Sequence, residues 1–240
     1  MIKGLSIVIP VYNEEANILP LLTEIRETLQ TVFPYEIIFV DDASEDTTRA
    51  VIERASTEVR EVRLLRHTHN RGQSAALVSG VRQARFDWIA TLDGDRQNDP
   101  RDLHLLLAAI HCQTAQSVLC MGQRAKRQDN WLRRVSTKIA NGVRQWFLQD
   151  QCADSGCGIK IFPRDVFLAL PLFRNCHRFL PALFVRAKIP VIYVKVSHRP
   201  RVAGHSKYGV RNRLWVGIVD LWGVAWLMRR FIEFEREADV

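Results

Sequence analysis

Short apolar runs alternate along this chain with segments whose apolar residues recur at helical spacing. Leu5–Val11 (LSIVIPV) is apolar and β-branched and ends at Tyr12-Asn13-Glu14-Glu15, which predicts a strand buried on both faces. Residues 16–29 then place Ile18, Leu21, Leu22, Ile25 and Leu29 on one helical stripe. Residues 36–40 (EIIFV) predict a second buried strand, ending in Asp41-Asp42, and residues 47–55 a helix with Ser44 or Asp46 as its N-cap. Residues 61–65 predict a third strand, and 74–84 a helix after Gly72. Residues 87–92 predict a fourth strand ending at Asp93, and 100–112 a helix opened by Pro100.

The second half is less regular. The spacing predicts helices over 130–149, 179–187 and 214–234, strands over 158–162 and Val191–Val196, and a loop rich in Arg, Pro and Gly over 198–212. Strand–helix alternation with continuously apolar strands predicts an α/β fold, a mostly parallel sheet with helices on both faces. In such sheets ligands bind beyond the carboxyl ends of the strands. Tyr12, Glu14, Asp42, Asp93 and Asp95 all follow strand ends, so they are expected to share one crevice. Any one of them alone reads as an ordinary turn residue.

At 240 residues and 47% hydrophobic content, the chain can build one sizeable core with an appendage. No signal peptide is evident at the start of the sequence. Five scattered cysteines without a CxxC pair point to neither a disulfide framework nor a zinc site, and a reducing cytosol is the simplest compartment. Cys157 reads as a small packing residue, and His67 and His69 as turn or surface residues. The formal net charge is +8 and unevenly placed. Eight Lys and Arg lie between Arg186 and Arg213, and no acidic residue lies between Asp165 and Asp220. A second basic stretch runs from Arg124 to Arg144. Such clusters suit phosphate or an anionic membrane surface.

Asp93-Gly94-Asp95 sets two carboxylates one residue apart at a strand end. Mg²⁺ and Mn²⁺ prefer oxygen ligands, take few of them from protein and share the rest with phosphates and water. A cation so held neutralises charge developing on a leaving diphosphate. Gly94 allows close backbone approach, and Gln97 can add an oxygen.

The succession IVIPVYNEEANI, EIIFVDDASEDTT, NRGQSAALVSGV and DWIATLDGDRQNDP resembles the inverting family 2 glycosyltransferases of the GT-A fold. The later DSGCGIK and HRPRVAGHSKYG make it similar to their polyprenyl-phosphate sugar transferases, the group of dolichyl-phosphate mannose synthase. That resemblance implies a Rossmann-like GT-A catalytic domain over residues 1–212 and a membrane-associated amphipathic helix over 213–240. It implies that Pro10, Tyr12, Glu14, Val40 and Asp42 hold the nucleoside. Asp42 can accept from a base N–H, and Tyr12 can lie against the ring. It further implies that Asp93, Asp95 and Gln97 hold Mg²⁺ or Mn²⁺, with Gly94 beside the diphosphate. Arg124 is expected to face a phosphate and Asp154 to lie near the sugar. Arg201 and Lys207 match a basic loop that closes over donor and acceptor phosphates, and with Asp93 and Asp95 they form the expected catalytic set. Arg suits bidentate phosphate contact and Lys a point charge. Departures from the mannose synthase pattern fall at Arg96, where the group has an aliphatic residue, at Asn98, at Ser155-Gly156-Cys157-Gly158 and at His177-Arg178.

The expected reaction moves a hexose or hexosamine from GDP-mannose or a UDP-sugar to undecaprenyl or dolichyl phosphate. A phosphate acceptor is already anionic and needs cations rather than a general base, which fits the acid-free basic region. The rival, a hydroxyl acceptor, would make Asp154 the base. A rival of another class is a non-catalytic accessory subunit, against which the intact Asp93-Gly94-Asp95 speaks. Leu214 to Met228 holds three Trp between flanking arginines and is shorter than the roughly 20 residues a membrane span needs. It is expected to lie in the interface on the cytoplasmic face, peripheral or monotopic. Trp131, Trp146 and Phe147 are a second expected contact. A homo-oligomer contact through the same helix is the competing expectation, and no nucleic-acid partner is expected.

Overall fold

The computed structural model describes residues 2–30, 33–124, 142, 144–200 and 210–230. Arg201, Lys207, Trp131 and most of the helix expected over 130–149 lie outside these residues.

Strands β1 (Leu5–Val11), β2 (Tyr35–Asp41), β3 (Val62–Arg66), β4 (Trp88–Thr91), β5 (Leu119–Arg124), β6 (Lys160–Pro163) and β7 (Val191–Val196) form one seven-stranded sheet in the order β3-β2-β1-β4-β6-β5-β7. The strands β3, β2, β1 and β4 run parallel. Strand β6 runs antiparallel to both neighbours, and β7 closes the far edge parallel to β5. Consecutive residues of β1 and β2 feed opposite layers, which is why both strands are apolar without alternation. Ile7, Ile9, Ile37 and Phe39 face one layer with α1 (Glu15–Leu29), α2 (Thr48–Glu58) and α4 (Leu103–His111). Val8, Ile38 and Val40 face the other with α3 (Gln73–Arg82), α5 (Arg164–Ala169) and α6 (Leu180–Arg186).

Two elements had no counterpart in the sequence pattern. Strand β5 ends in the polar Gly122-Gln123-Arg124, and α5 is only six residues long. The α5 segment is too short for a helical stripe, and in β5 the apolar run stops after Met121. The helix expected from Pro100 begins as a 3₁₀ turn over Pro100–Asp102, with the Asp99 side chain accepting from Arg101 N.

The chain leaves β1 toward β2 and β3 on one side and resumes with β4 on the other, so the order reverses at β1. Such a switch point opens a crevice at the strand ends. The last helix, α7 (Val210–Met228), starts ahead of the boundary expected at residue 213. Val224 and Ala225 pack on Leu148, Phe179 and Ala182 of the main body. Arg186 Nε donates to Leu227 O at 2.9 Å, and Asn175 Nδ2 donates to Asp220 Oδ2 at 3.0 Å.

Candidate active site

The ends of β1 and β2 are stitched together. Asn13 N donates to Ser44 Oγ at 2.9 Å, Glu45 N to Asn13 Oδ1 at 2.8 Å, and Glu14 N to Thr48 Oγ1 at 2.8 Å. Asn13 and Ala43 both have positive φ, the tight bends this interlock needs. Tyr12 and Glu14 stand half-buried on this rim, with Glu14 Oε2 accepting from Asn17 Nδ2 at 2.7 Å.

Asp42 is buried and organises the neighbouring turn. Its carboxylate accepts from Arg71 N at 2.9 Å and Gly72 N at 2.7 Å, and lies 2.7 Å from His67 Nδ1. Gly72 has φ 87, which a side chain would resist. His67, read as a turn or surface residue, follows β3 in a loop but is half-buried between Asp42 and Ser79, because the parallel β2–β3 pair carries it beside Asp42. Val40 has no exposed surface and sits in the core, so it supports the crevice from beneath rather than lining it.

Asp93 follows β4 at the centre of the crevice. Gln73, the first residue of α3, donates its Nε2 to Asp93 Oδ1 at 2.8 Å. Gly94 is demanded by packing, since a Cβ there would stand 2.8 Å from Val11 Cγ1. Asp95 is buried and accepts from Gln97 N at 3.2 Å. Asn98 Oδ1 is buried without a hydrogen-bond partner. The Asp93 carboxyl is pushed up to about 6, first by burial and then by the charge of Asp95, against the pull of Lys160, Arg124 and Gln73.

Among the described residues no cluster of three or more His, Cys, Asp or Glu could hold a metal unaided. The donor set nevertheless fits a hard divalent cation shared with a diphosphate. It consists of two mutually repelling carboxylates, with the Gln97 amide two residues on. The pH dependence follows from Asp93. Between 3.8 and about 6 the folded chain keeps a proton that the unfolded chain has released. This group therefore lowers stability increasingly as pH rises to about 6, and fully above it. A cation between the carboxylates would offset that loss. Mn²⁺ is expected to raise the melting temperature more at about pH 7.5 than at about pH 5, as read by scanning fluorimetry. Equal shifts at both values would rule against cation binding at Asp93.

Arg124 and Asp154 form a closed fork, with Nε to Oδ2 at 2.5 Å and Nη2 to Oδ1 at 2.6 Å, Asp154 buried and Arg124 largely covered. The guanidinium expected to face a phosphate thus has its planar fork turned onto Asp154. The pair joins the end of β5 to the loop before β6 and shapes the crevice wall. Neither partner was legible as half of a pair, because β5 itself was not.

The turn after Asp95 is tied to the segment that precedes Arg201. Arg96, at φ 58, reaches Glu24 Oε1 at 2.5 Å. Arg199 bridges Glu24 at 2.7 Å and Asp99 at 2.5 Å, and its N donates to Gln97 O at 3.0 Å. Burial alone would raise the Asp99 carboxyl, but Arg101 and Arg199 hold it down at about 2. The unusual Arg96 therefore has a purpose the sequence did not disclose: with Glu24 and Arg199 it closes a charge network beside the metal-ligand candidates.

On the far side of Asp93 a cavity is lined by Pro10, Gln73, Gly158, Lys160, His177 and Arg178. Cys157 also borders it, buried and with its thiol pushed up to about 11 by burial, consistent with a packing role. Pro10 is the one expected nucleoside contact that reaches this cavity. Lys160 and Gln73 were not singled out from the sequence, and His177 only as a departure from the family pattern; their places at the start of β6, at the head of α3 and before α6 bring them together.

The mixed sheet, its switch point and the strand-end carboxylates define the GT-A class of α/β scaffold. The chain belongs to glycosyl transferase family 2, whose family model matches residues 6–170. Among its relatives is the dodecaprenyl-phosphate galacturonate synthase of Rhizobium johnstonii. It is 34% identical over 235 residues, covering 94% of this chain and 67% of that protein. The undecaprenyl-phosphate 4-deoxy-4-formamido-L-arabinose transferase of Aeromonas hydrophila is 32% identical over 214 residues, covering 88% of this chain and 64% of the other. This chain therefore spans about two thirds of the length of these relatives. Glucosyl-3-phosphoglycerate synthase of Mycobacterium tuberculosis, solved with Mg²⁺ and uridine diphosphate, shares the fold. Its TM-score is 0.72 at 15% identity, over 94% of this chain and 79% of that one. Its complex with Mn²⁺, uridine diphosphate and glucosyl-3-phosphoglycerate gives TM-score 0.68 at 17% identity, over 94% and 80%.

Proposed function

We propose that this chain transfers a sugar from a nucleotide-sugar to a polyprenyl phosphate, with inversion, at the cytoplasmic face of a membrane. The observation that carries the choice of acceptor is the Arg124–Asp154 fork. A hydroxyl acceptor needs a base, and the carboxylate best placed to be one is held by two charge-assisted bonds. Asp93 and Asp95 are the candidate metal ligands, which leaves neither to take a proton. The polyprenyl-phosphate substrates of the two relatives support the same choice.

In this reading Tyr12, Glu14 and Asp42 border the nucleoside. Asp93, Asp95 and Gln97 would hold Mg²⁺ or Mn²⁺, which when bound neutralises charge on the departing diphosphate. Arg201 and Lys207 hold the acceptor phosphate. A phosphate oxygen attacks the anomeric carbon, the bond to the diphosphate breaks, and its electron pair leaves on the diphosphate oxygen. GDP-mannose and UDP-sugars are the donor candidates.

Residues 1–212 form the catalytic unit, and the helix that follows seats it on the membrane. No helix among the described residues is long and apolar enough to cross a membrane. Helix α7 buries Val224 and Ala225 and leaves Val219, Trp222 and Trp226 exposed. Trp146 is 76% exposed nearby, and Phe147 links it to Trp222 at ring distances of 4.8 and 5.7 Å. Exposed Trp beside Arg229 and Arg230 suits a lipid headgroup boundary.

One assay tests both parts. Protein, Mn²⁺, donor and anionic vesicles carrying polyprenyl phosphate should yield polyprenyl-phosphate sugar and pull the protein down with the vesicles. Vesicles carrying the free polyprenol should give product at least about 100-fold more slowly. Equal product from the alcohol would overturn the acceptor assignment. Vesicle binding unaltered by Trp222→Ser with Trp226→Ser would overturn the membrane assignment and leave a subunit contact as the role of that face.

A further inference from the structure

The cavity beyond Asp93 has an uneven charge. Lys160 is 5% exposed, and its ammonium donates to Cys157 O. No carboxylate among the described residues pairs with it, although Asp93 is near enough to feel its charge. Both nearby carboxylates already have other work. Asp93 accepts from Gln73 and is a candidate metal ligand, and Asp154 is locked to Arg124. An ammonium buried without an anion is costly, and a ligand that brings the anion recovers that cost on binding.

The other groups of the wall point the same way. Arg178 lines the cavity beside His177. The buried Ser74 hydroxyl accepts from His177 N at 3.2 Å and lies 2.7 Å from Nδ1. Burial first, and then the charges of Lys160 and Arg178, push His177 down to about 3, so the ring is neutral. Apart from Asp93, the charged side chains of this wall are an ammonium and a guanidinium, and its neutral polar groups are the His177 imidazole, the Gln73 amide and the Thr91 and Ser155 hydroxyls. A neutral hexose can meet the neutral groups but brings no counter-charge to the two cations. A carboxylate presents only acceptors.

We propose that the transferred sugar bears a carboxylate, as in a hexuronic acid, and that Lys160 with Arg178 reads it. This rests on the reading of the chain as a nucleotide-sugar transferase and narrows its donor. The preference comes from the sugar side of the diphosphate, so it does not depend on which acceptor follows.

The test is donor binding without acceptor, by calorimetry with Mn²⁺, so that failure of the acceptor assignment leaves it intact. The probes are nucleoside diphosphate hexuronate and the matching neutral hexose of the same ring configuration, in uridine and guanosine series. The hexuronate is expected to bind about 10- to 100-fold more tightly, the size of a charge-assisted hydrogen bond gained on binding. Lys160→Gln should reduce that ratio to near one. Arg178→Gln, at an exposed side chain that folding tolerates, should reduce it in part. Equal or tighter binding of the neutral hexose overturns the proposal. So does a ratio that both variants leave unchanged while the KM for polyprenyl phosphate rises, because the cations would then serve the acceptor.

Discussion

Asp95→Ala is expected to lower kcat/KM by about 1,000-fold, since charge neutralisation by a bound cation supplies several kcal/mol to departure of a diphosphate. Asp95 is buried, and its charge adds to the effect of burial in pushing the Asp93 carboxyl up to about 6. Removing it takes away one of two carboxylates and much of the field that draws a divalent ion. The same change relieves the repulsion on Asp93. The melting temperature without metal should therefore hold or rise, while the Mn²⁺-dependent increase disappears. Steady-state kinetics beside thermal scans decides this. A variant that keeps its turnover, or that keeps the Mn²⁺-dependent increase, would place the cation elsewhere.

Gly158→Ala is the second large effect, and it tests geometry rather than charge. A Cβ at Gly158 would stand 2.2 Å from Asp93 Oδ2 and 2.7 Å from Asn98 Oδ1. Gly158 itself cannot retreat readily, because Thr91 Oγ1 donates to its carbonyl at 2.6 Å. What moves is the end of the Asp93 side chain, which is cheap for the fold and expensive for the site. A displacement near 1 Å is expected to cost about 100-fold in kcat, with little change in melting temperature. Gly94→Ala is the contrasting case, since it presses on Val11 of β1 and should cost stability as well. If Gly158→Ala kept full activity, Asp93 would not be held in its working position by this contact.

Much of the molecule was legible in the order of residue types. Strands β1 to β4 and helices α1 to α3 follow from apolar runs and helical stripes, because a strand covered on both faces cannot afford polar positions. The strand-end carboxylates were legible for a related reason. A buried strand must end where polar residues begin, and a parallel sheet gathers those ends on one edge. Cys157 also behaved as its small, apolar neighbourhood suggested.

Other features depended on contacts between segments far apart in the chain. His67 looked like a turn residue because nothing local marks it for burial, yet β2–β3 pairing brings it against Asp42, 25 residues away. Arg124 and Asp154 each looked like a ligand contact. They are 30 residues apart, and the sheet order that places β5 beside β6 makes them partners. Glu24 carried no signal at all, being one polar position on the outer face of α1. It anchors Arg199 across 175 residues.

The sequence by itself determined the alternating layers, the crevice edge and the paired carboxylates, all of which arise from burial patterns within single segments. Only the tertiary structure decided which charges neutralise one another. Coulomb attraction and hydrogen bonding act over a few ångströms of space and are blind to separation along the chain. That is why the pairing of Asp154 with Arg124, and the burial of Lys160 beside the cavity that Asp93 also lines, could not be read from the sequence.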